Sequence, residues 1–435
     1  MLVALATLAF VAGACGGGKK EAADGLAQTS QRPDAGAPIV VPARAPVVIG
    51  ASVPLTGPDA VVGKEDLAAI IVAVDRWKAR NGRQVLGHDI EVRAEDDGCT
   101  EAEITQEAAE RLLRRRGLVG VLGPDCSAGA EAAIPVYAGA GIVAISGSAT
   151  RTDLTTAQPD GGFFFRTAYR NDLQGTLIGL FASVALRGKS AYLIDDGEAY
   201  GRDLADAAEQ AMTESEVEVT RGSVSRGAVD FSKLAVRIAG DGPAFVGFAG
   251  FNPEAALLYR QLRDSGYTGG FGGGDAAASL LDFVEPVGAA AAEGVLFSGC
   301  PLHLPDDFVR QFREAHGSPP TSSAFVAHYA DAVTVLLDAL AQVAHQSSDG
   351  SLSIDPAELR DAVGAARLAD GISGPIAFDA DGDRIPAPGA DLKSLIAEVV
   401  RSQNIETFLD LGLVPCQVQR GKLVNLYGPG AGQVH

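Results

Sequence analysis

Basic residues are scarce in this sequence. Lys and Arg together number 35 among 435 residues, against 55 Asp and Glu, so the formal net charge is −20. Proteins that bind nucleic acid neutralise its phosphates with clustered Lys and Arg. The composition therefore predicts no nucleic-acid partner.

Motifs of catalysis and metal binding are also missing. The six histidines form no HxxH or HExxH pair, and neither a G-x-S-x-G elbow nor a P-loop lysine motif occurs. The acidic run Asp379–Asp383 lacks the ligand spacing and terminal Glu of a calcium loop, and we expect a turn there. These absences predict that the protein is not an enzyme and carries no metal or cofactor.

The apolar run at the start of the chain is too short to span a membrane. Residues Met1–Ala14 carry no charge, and a spanning helix needs about 20 apolar residues. This segment fits the apolar part of a secretory signal peptide, with small residues, Ala12–Ala14, at the cleavage site. We predict a signal peptide over 1–14, followed at once by Cys15.

Cysteines are few and odd in number. Setting Cys15 aside leaves four, which in an oxidising compartment can form two disulfides in any of three connectivities. No CxxC spacing occurs, which argues against zinc or redox chemistry. The remaining cysteines are Cys99, Cys126, Cys300 and Cys416.

The sequence does contain a regular alternation of strand and helix patterns. Residues 15–45 are rich in Gly, Ala and Pro and predict a flexible tether. From Val47 onward, short apolar runs alternate with amphipathic stretches, and the series starts again after Asp172. This pattern predicts an α/β fold with two Rossmann-like lobes, each built on a parallel sheet.

Ligands of open α/β sheets bind in the loops at the carboxyl ends of the strands. Three such loops in the first series and three in the second are candidates. They are Pro54–Gly63, Gly123–Ser127, Ser146–Thr150, Asp195–Gly201, Gly250–Pro253 and Gly273–Asp275.

These loops together predict a site for a zwitterion. Ser127 is expected as the N-cap of a helix whose first amides would suit a carboxylate, and Thr150 adds a hydroxyl. Asp275, in the second lobe, would accept an ammonium group. Taken singly, each residue also has an ordinary interpretation. Ser127 can be a plain helix cap, Thr150 a turn residue and Asp275 an acidic residue of a loop.

Ten short segments in the correct order resemble the periplasmic branched-chain (leucine/isoleucine/valine) amino-acid binding proteins. The resemblance runs from Val47 to Phe378, with Val414–Val424 as the expected last hairpin. The segments are Ile49–Gly50, Pro54–Gly57, Asp96–Cys99, Gly123–Ser127, Ile145–Thr150, Tyr200–Gly201, Asp230–Ser232, Asn252–Glu254, Gly374–Pro375 and Gly382–Asp383.

The resemblance implies two lobes joined by three crossover strands, with the ligand in the cleft and a hinge that closes on it. Lobe 1 is then expected to comprise 46–167 with 300–377, and lobe 2 to comprise 168–299 with 378–435. A helix-like stretch, Leu392–Leu409, interrupts the expected final hairpin.

The resemblance also implies the roles of individual residues. Ser127 and Thr150 match positions that bind the ligand carboxylate, and the backbone carbonyl of Ser148, beside Ala149, matches a contact to the ammonium. Asp275 matches the acid that pairs with that ammonium, and Tyr200 and Phe251 match aromatic residues lining the cleft.

The resemblance further implies a disulfide between Cys99 and Cys126, which leaves Cys300 with Cys416. The small residues before Cys15 resemble a bacterial lipobox, which implies diacylation of Cys15. The mature protein is then expected to be an exported monomer, anchored to the outer face of the cytoplasmic membrane or in the periplasm.

The function implied is that of a solute-binding protein that delivers an amino acid to the permease and ATPase subunits of an ABC importer. Branched-chain amino acids are expected first. Val62 and Phe251, together with an Asp at 275 where the best-known member has Glu, depart from the family pattern and leave the ligand side chain open. The alternative is a ligand-sensing receptor of the same fold for amides, urea-like solutes or aromatic acids.

Overall fold

The computed structural model describes residues 36–82, 84–156, 158, 162–185, 189–402 and 404–427. The predicted signal peptide, Cys15 and the first part of the tether lie outside the described residues. The tether prediction is wrong for Ile39–Val41, which forms a strand paired with Leu352–Ile354 and buries Val41 in the core. Within the described residues, no helix combines the length and apolar character that a membrane crossing requires.

The first βα series forms one half of the fold. Its elements in chain order are β1 (Ile39–Val41), β2 (Val47–Val53), α1 (Ala60–Arg80), β3 (Ile90–Asp96), α2 (Ala102–Leu113), β4 (Leu118–Leu122), α3 (Ser127–Ala138), β5 (Val143–Ser146) and β6 (Phe164–Arg166).

The second series forms the other half. It comprises α4 (Asn171–Leu180), β7 (Ser190–Asp195), α5 (Ala199–Glu214), β8 (Glu218–Ser223), α6 (Ser232–Asp241), β9 (Phe245–Ala249), α7 (Glu254–Asp264), β10 (Gly270–Gly273), α8 (Glu285–Val287) and β11 (Leu296–Phe297). Short helical turns lie at Phe181–Ala185, Asp275–Ala277 and Leu280–Val284.

The last third of the chain contributes to both halves. Its elements are α9 (Asp306–His316), α10 (Val326–Val343), β12 (His345–Gln346), β13 (Leu352–Ile354), α11 (Pro356–Gly364), β14 (Ala377–Phe378), β15 (Arg384–Ile385), α12 (Leu392–Ser402), α13 (Glu406–Leu409), β16 (Cys416–Gln419) and β17 (Lys422–Asn425).

Two sheets organise these elements. The first has the order β3-β2-β4-β5-β6 and is parallel throughout. The second has the order β17-β16-β11-β10-β9-β7-β8, and β16 pairs antiparallel with both of its neighbours, β11 and β17, whereas the other strand pairs are parallel. The chain crosses between the halves after β6, after β11 and before β16, so the predicted α/β class with three crossovers is confirmed.

Burial of both sheet faces explains why the strands read as continuous apolar runs. Every residue of β2, β4 and β9 is buried, as expected for parallel strands covered by helices on both sides. In the first half, α10 packs on β4 and β5 and also against α1. The strand ends of both sheets are thereby held in place by rigid helices.

The interrupting segment near the carboxyl terminus is helical, as predicted. It forms α12 and α13, and its side chains Leu392, Val399 and Phe408 are buried in the hydrophobic cluster that also contains residues of α1 and α10. The chain then forms the predicted last hairpin, β16–β17. The lobe boundaries given above stay a prediction.

The structure joins Cys99 to Cys126, the pair that the resemblance implies, and Cys300 to Cys416, the pair that then remained. The first disulfide ties the loop after β3 to the start of α3, and the second ties the loop after β11 to β16.

Candidate functional site

A cavity of about 320 Å³ lies between the strand ends of the two sheets. Its wall includes residues from the loops after β2, β4 and β5 on one side, and from the loops after β7, β9 and β10 on the other. The lining residues are Pro58, Asp59, Val62, Asp125, Cys126, Ser127, Ser148, Thr150, Tyr200, Phe251, Asn252, Pro253, Asp275, Ala276, Ser279, Leu281, Asp282, Pro286, Ser322, Ala324 and Phe325.

Ser127 lies on this wall, but its predicted role as N-cap is wrong. Helix α3 begins at Ser127, and Cys126, in an extended conformation, is its N-cap. The Ser127 hydroxyl accepts the backbone N–H of Arg151 at 3.1 Å and is therefore not available to cap the helix. The first amides of α3 still lack partners within the helix and can donate to an anion.

The loop after β5 completes the first wall. Thr150 is buried and lines the cavity, and its carbonyl accepts the N–H of Asn171 at 2.8 Å. Ser148 also lines the cavity, and its hydroxyl donates to the carboxylate of Asp125. Ala149 lies behind the wall, since its N–H donates to Ser146 and its carbonyl accepts from Arg166.

The second wall is centred on Asp275, which follows β10. Its Oδ1 accepts the Tyr200 hydroxyl at 2.7 Å and the Ala276 N–H at 2.7 Å. Its Oδ2 accepts Gln174 Nε2 at 2.8 Å, while the Asp275 N–H donates to Gln174 Oε1 at 3.1 Å. The carboxylate is therefore held in one orientation from three sides.

Burial controls the charge of Asp275. Only 4% of the residue is exposed, and desolvation raises its pKa to about 6, although hydrogen bonds from Tyr200 and Ala276 favour the charged form. A ligand ammonium would supply the counter-charge that the carboxylate lacks, because Asp275 forms no ion pair with any described residue.

Aromatic rings border the same side. Tyr200 and Phe251 pack with their ring centroids 5.1 Å apart, and both line the cavity. The guanidinium of Arg226 lies over the Phe251 ring at 4.2 Å. The predicted aromatic pair is thus brought together with Asp275, and a cation that the sequence analysis did not single out covers it.

Arg226 also bridges the two halves. Its Nη2 donates to both carboxylate oxygens of Asp59, at 2.6 and 2.8 Å, and both side chains are only 14% exposed. Asp59 precedes α1 in the first half, whereas Arg226 follows β8 in the second. A second contact between the halves joins Thr152 to Asp203 at 2.8 Å.

Asp125 is the most important residue of the wall to which the sequence analysis gave no role. It is 4% exposed, lies two residues before Ser127, and accepts the Tyr329 hydroxyl on Oδ1 at 2.9 Å. Burial raises its pKa to about 6. Its place in the loop after β4 was a usable signal, since that loop was already expected to reach the ligand.

The family model described as periplasmic binding protein matches residues 46–391. The chain belongs to this family. Members of the family are extracytoplasmic solute-binding proteins, and the resemblance to its branched-chain amino-acid binding branch is confirmed by the relatives described next.

An amino acid binding protein of Pseudomonas aeruginosa is 32% identical over 282 residues, covering 64% of this chain and 74% of that protein. A Leu/Ile/Val-binding protein homologue of Brucella suis is 29% identical over 346 residues, covering 78% and 88%. The crystal structure of a leucine-binding protein from Thermotoga maritima superposes with a TM-score of 0.71 at 24% identity, covering 87% and 97%.

Proposed function

We propose that this protein binds an α-amino acid in the cleft and delivers it to the permease and ATPase subunits of an ABC importer. The observation that carries the proposal is the placement of opposite binding groups on the two walls. Asp275 lies on one wall, and the amino end of α3 with Thr150 lies on the other.

This arrangement suits both charges of a zwitterion. The Asp275 carboxylate accepts the α-ammonium, and the free amides of α3 with the Thr150 hydroxyl donate to the α-carboxylate. The ring of Phe251, closed from outside by Arg226, excludes water from these contacts. The names of the relatives make leucine, isoleucine and valine the first ligands to test.

The contacts between the halves support binding by closure. Arg226–Asp59 and Thr152–Asp203 join residues from the two sides of the cleft, and a ligand that touches both walls adds further contacts of this kind. Such a ligand favours the closed arrangement because its contacts to both walls exist only there.

A bare organic acid fits the second wall less well. A carboxylate beside Asp275 would meet a like charge, and no Lys, Arg or His is found among the described lining residues. Aromatic acids are therefore weaker candidates than amino acids. Urea-like solutes and amides are weaker candidates too, because they would leave the anion-binding amides of α3 without a charged partner.

The test is a thermal-shift titration of the full chain against the twenty amino acids, a set of amides and a set of organic acids. A ligand at about a thousand times its Kd adds roughly 4 kcal/mol to the free energy of unfolding, which gives a shift of several degrees. A shift with at least one amino acid is expected. No response to any amino acid, with a response to an amide or acid, would overturn the amino-acid assignment.

Transport and membrane attachment need separate tests. We expect that deleting the gene abolishes high-affinity uptake of the radiolabelled ligand. A deletion that leaves uptake unchanged but abolishes a transcriptional or behavioural response to the ligand would favour a sensor instead. Diacylation of Cys15 predicts that Cys15→Ser releases the protein from membranes and prevents its labelling with fatty acid.

A further inference from the structure

The cavity lining is rich in acidic side chains and has no basic ones among the described residues. Among the described lining residues, four are aspartates, Asp59, Asp125, Asp275 and Asp282, and none is Lys, Arg or His. Asp59 is neutralised by Arg226 from outside the wall. An α-ammonium, as in the proposed function, would neutralise Asp275. Two carboxylates then still lack a counter-charge.

Asp125 presents to the cavity a carboxylate that no cation of the described residues neutralises. Ser148 and Tyr329 donate to its Oδ1, and the carboxyl of Asp66, whose raised pKa favours the protonated form, also hydrogen-bonds to it. The residue is only 4% exposed, so its negative charge is largely removed from bulk water. A buried carboxylate without a counter-charge is costly unless a ligand supplies one.

Further acid lies behind Asp125 and none of it is balanced by a cation. Asp97 accepts the Asp125 N–H at 3.3 Å, and its pKa is raised to about 7 by burial and by the Asp125 charge. Burial and the same neighbour raise the pKa of Asp66 well above its usual range. The raised pKa values reflect the cost of placing further negative charge beside Asp125, a cost that a cationic ligand group would offset.

Two more acceptors lie on the wall. Asn252 Oδ1 is buried without a hydrogen-bond partner among the described residues, and Asn252 Nδ2 is engaged by the carbonyls of Ala276 and Ala277. Asp282 Oδ2 accepts only the Ser279 hydroxyl, at 2.9 Å. Apolar Val62, Leu281 and Phe325 also line the cavity and can pack along an aliphatic stem.

We infer that the ligand is a basic amino acid, whose side-chain ammonium or guanidinium pairs with Asp125. This inference rests on the proposed function, because it takes the α-ammonium and α-carboxylate to occupy Asp275 and the amino end of α3. A basic side chain supplies the positive charge that Asp125 lacks, and its methylene stem matches the apolar part of the cavity lining.

The decisive experiment uses matched ligands with the unmodified full chain, by isothermal titration calorimetry. Arginine is compared with citrulline, which has the same shape but a neutral end, and lysine with norleucine, which lacks only the ammonium. At least one basic amino acid is expected to bind more than tenfold more tightly than its neutral partner. Leucine, isoleucine and valine are measured in the same series.

A matched pair of variants then assigns the contact. Asp125→Asn keeps the shape of the side chain and an acceptor oxygen for Ser148 and Tyr329. It should leave the affinity for citrulline unchanged and reduce the ratio of arginine affinity to citrulline affinity to about threefold or less. Asp195→Asn removes a similarly buried carboxylate that pairs with Arg221 and does not line the cavity, and it should leave the preference unchanged. Circular dichroism and thermal melts confirm that each variant is folded.

The outcomes separate this inference from the proposed function. Tighter binding of citrulline, norleucine or the branched-chain amino acids than of the bases would overturn the inference and leave the amino-acid function standing. Binding of no amino acid at all would overturn both. A preference for arginine that survives in folded Asp125→Asn would overturn the assignment to Asp125, and the wild-type ligand comparison holds even if that variant does not fold.

Discussion

The two walls of the cleft place a buried aspartate in very different surroundings. Asp275, on the second wall, accepts three hydrogen bonds that engage both of its oxygens, from Tyr200, Gln174 and the Ala276 amide. Asp125, on the first wall, accepts Ser148 and Tyr329 on one oxygen and lies beside two further buried acids, Asp66 and Asp97. Burial raises the pKa of each to about 6.

The difference indicates which part of the site is built in advance. The second wall fixes its carboxylate in one orientation, as a receptor for one constant group requires. The first wall combines the amides of α3 with an acid that lies among other buried acids, so a cationic ligand group would balance its charge.

The largest effect on affinity is expected from the fixed side. Asp275→Asn removes the charge that pairs with the α-ammonium and should weaken binding of the cognate amino acid by between ten- and a hundredfold, as a charge-assisted hydrogen bond is worth about 1.5–3 kcal/mol. Calorimetry measures the loss. Tyr200→Phe removes one donor to Asp275 and should weaken binding less than Asp275→Asn does. If Asp275→Asn bound the amino acid as tightly as the unmodified protein, the assignment of Asp275 to the α-ammonium would be wrong.

The bridge between the walls should have a smaller effect. Arg226→Ala breaks the pair with Asp59 and uncovers Phe251, which favours the open arrangement and should weaken binding by roughly three- to tenfold, mainly through faster dissociation. Stopped-flow displacement measures the rate. The control is Arg221→Ala, which removes an arginine bound to Asp195, Asp206 and Glu209 on one half only. A similar rise in dissociation rate for both variants would contradict a bridging role.

The two disulfides allow a test of how strongly the cavity wall affects ligand affinity, since one disulfide includes a lining residue and the other does not. Cys126 lines the cavity and precedes α3, whereas Cys300 and Cys416 lie off the wall. Replacing Cys99 and Cys126 by Ser should lower the free energy of unfolding by about 3–4 kcal/mol and the affinity by roughly two- to fivefold. Replacing Cys300 and Cys416 should lower stability by about 4–5 kcal/mol, because the closed loop is longer, with no change in affinity of the folded protein. Equal effects on affinity would contradict the contrast.

The smallest effect is expected from pH acting on the first wall. The pKa of Asp97 is raised from 3.8 to about 7 by burial, so the folded state holds this proton more tightly than the unfolded state does. Its contribution to the free energy of unfolding is therefore present below pH 4 and is lost as pH rises toward 7. Asp97→Asn does not titrate, so between pH 5 and 7.5 its melting temperature should rise relative to the unmodified protein by roughly 2–4 °C. Melting temperatures of the two proteins that change with pH in the same way would contradict this prediction.

Sequence periodicity predicted the fold because parallel strands with two covered faces read as short apolar runs, as β2, β4 and β9 do. It also predicted which loops reach the cavity, since the carboxyl ends of parallel strands meet at one edge. Ser127, Ser148, Thr150, Tyr200, Phe251 and Asp275 all line it for that reason.

Contacts between distant parts of the chain could not be predicted in this way. Asp125 meets Tyr329 204 positions later, and Arg226 meets Asp59 167 positions earlier, so no local pattern marks either pair. The N-cap prediction for Ser127 was wrong for a different reason. The helix begins one residue earlier than the serine signal suggests, and the hydroxyl is taken by the amide of Arg151.

The most direct test of the zwitterion site is to truncate the ligand rather than the protein. The amino acid that gives the largest thermal shift is compared by calorimetry with two analogues, the amine that lacks its carboxylate and the acid that lacks its α-ammonium. We predict that each truncation weakens binding by more than tenfold, because Asp275 and the amino end of α3 each lose their partner. An amine or an acid that binds as tightly as the intact amino acid would contradict the placement of the two head groups on opposite walls.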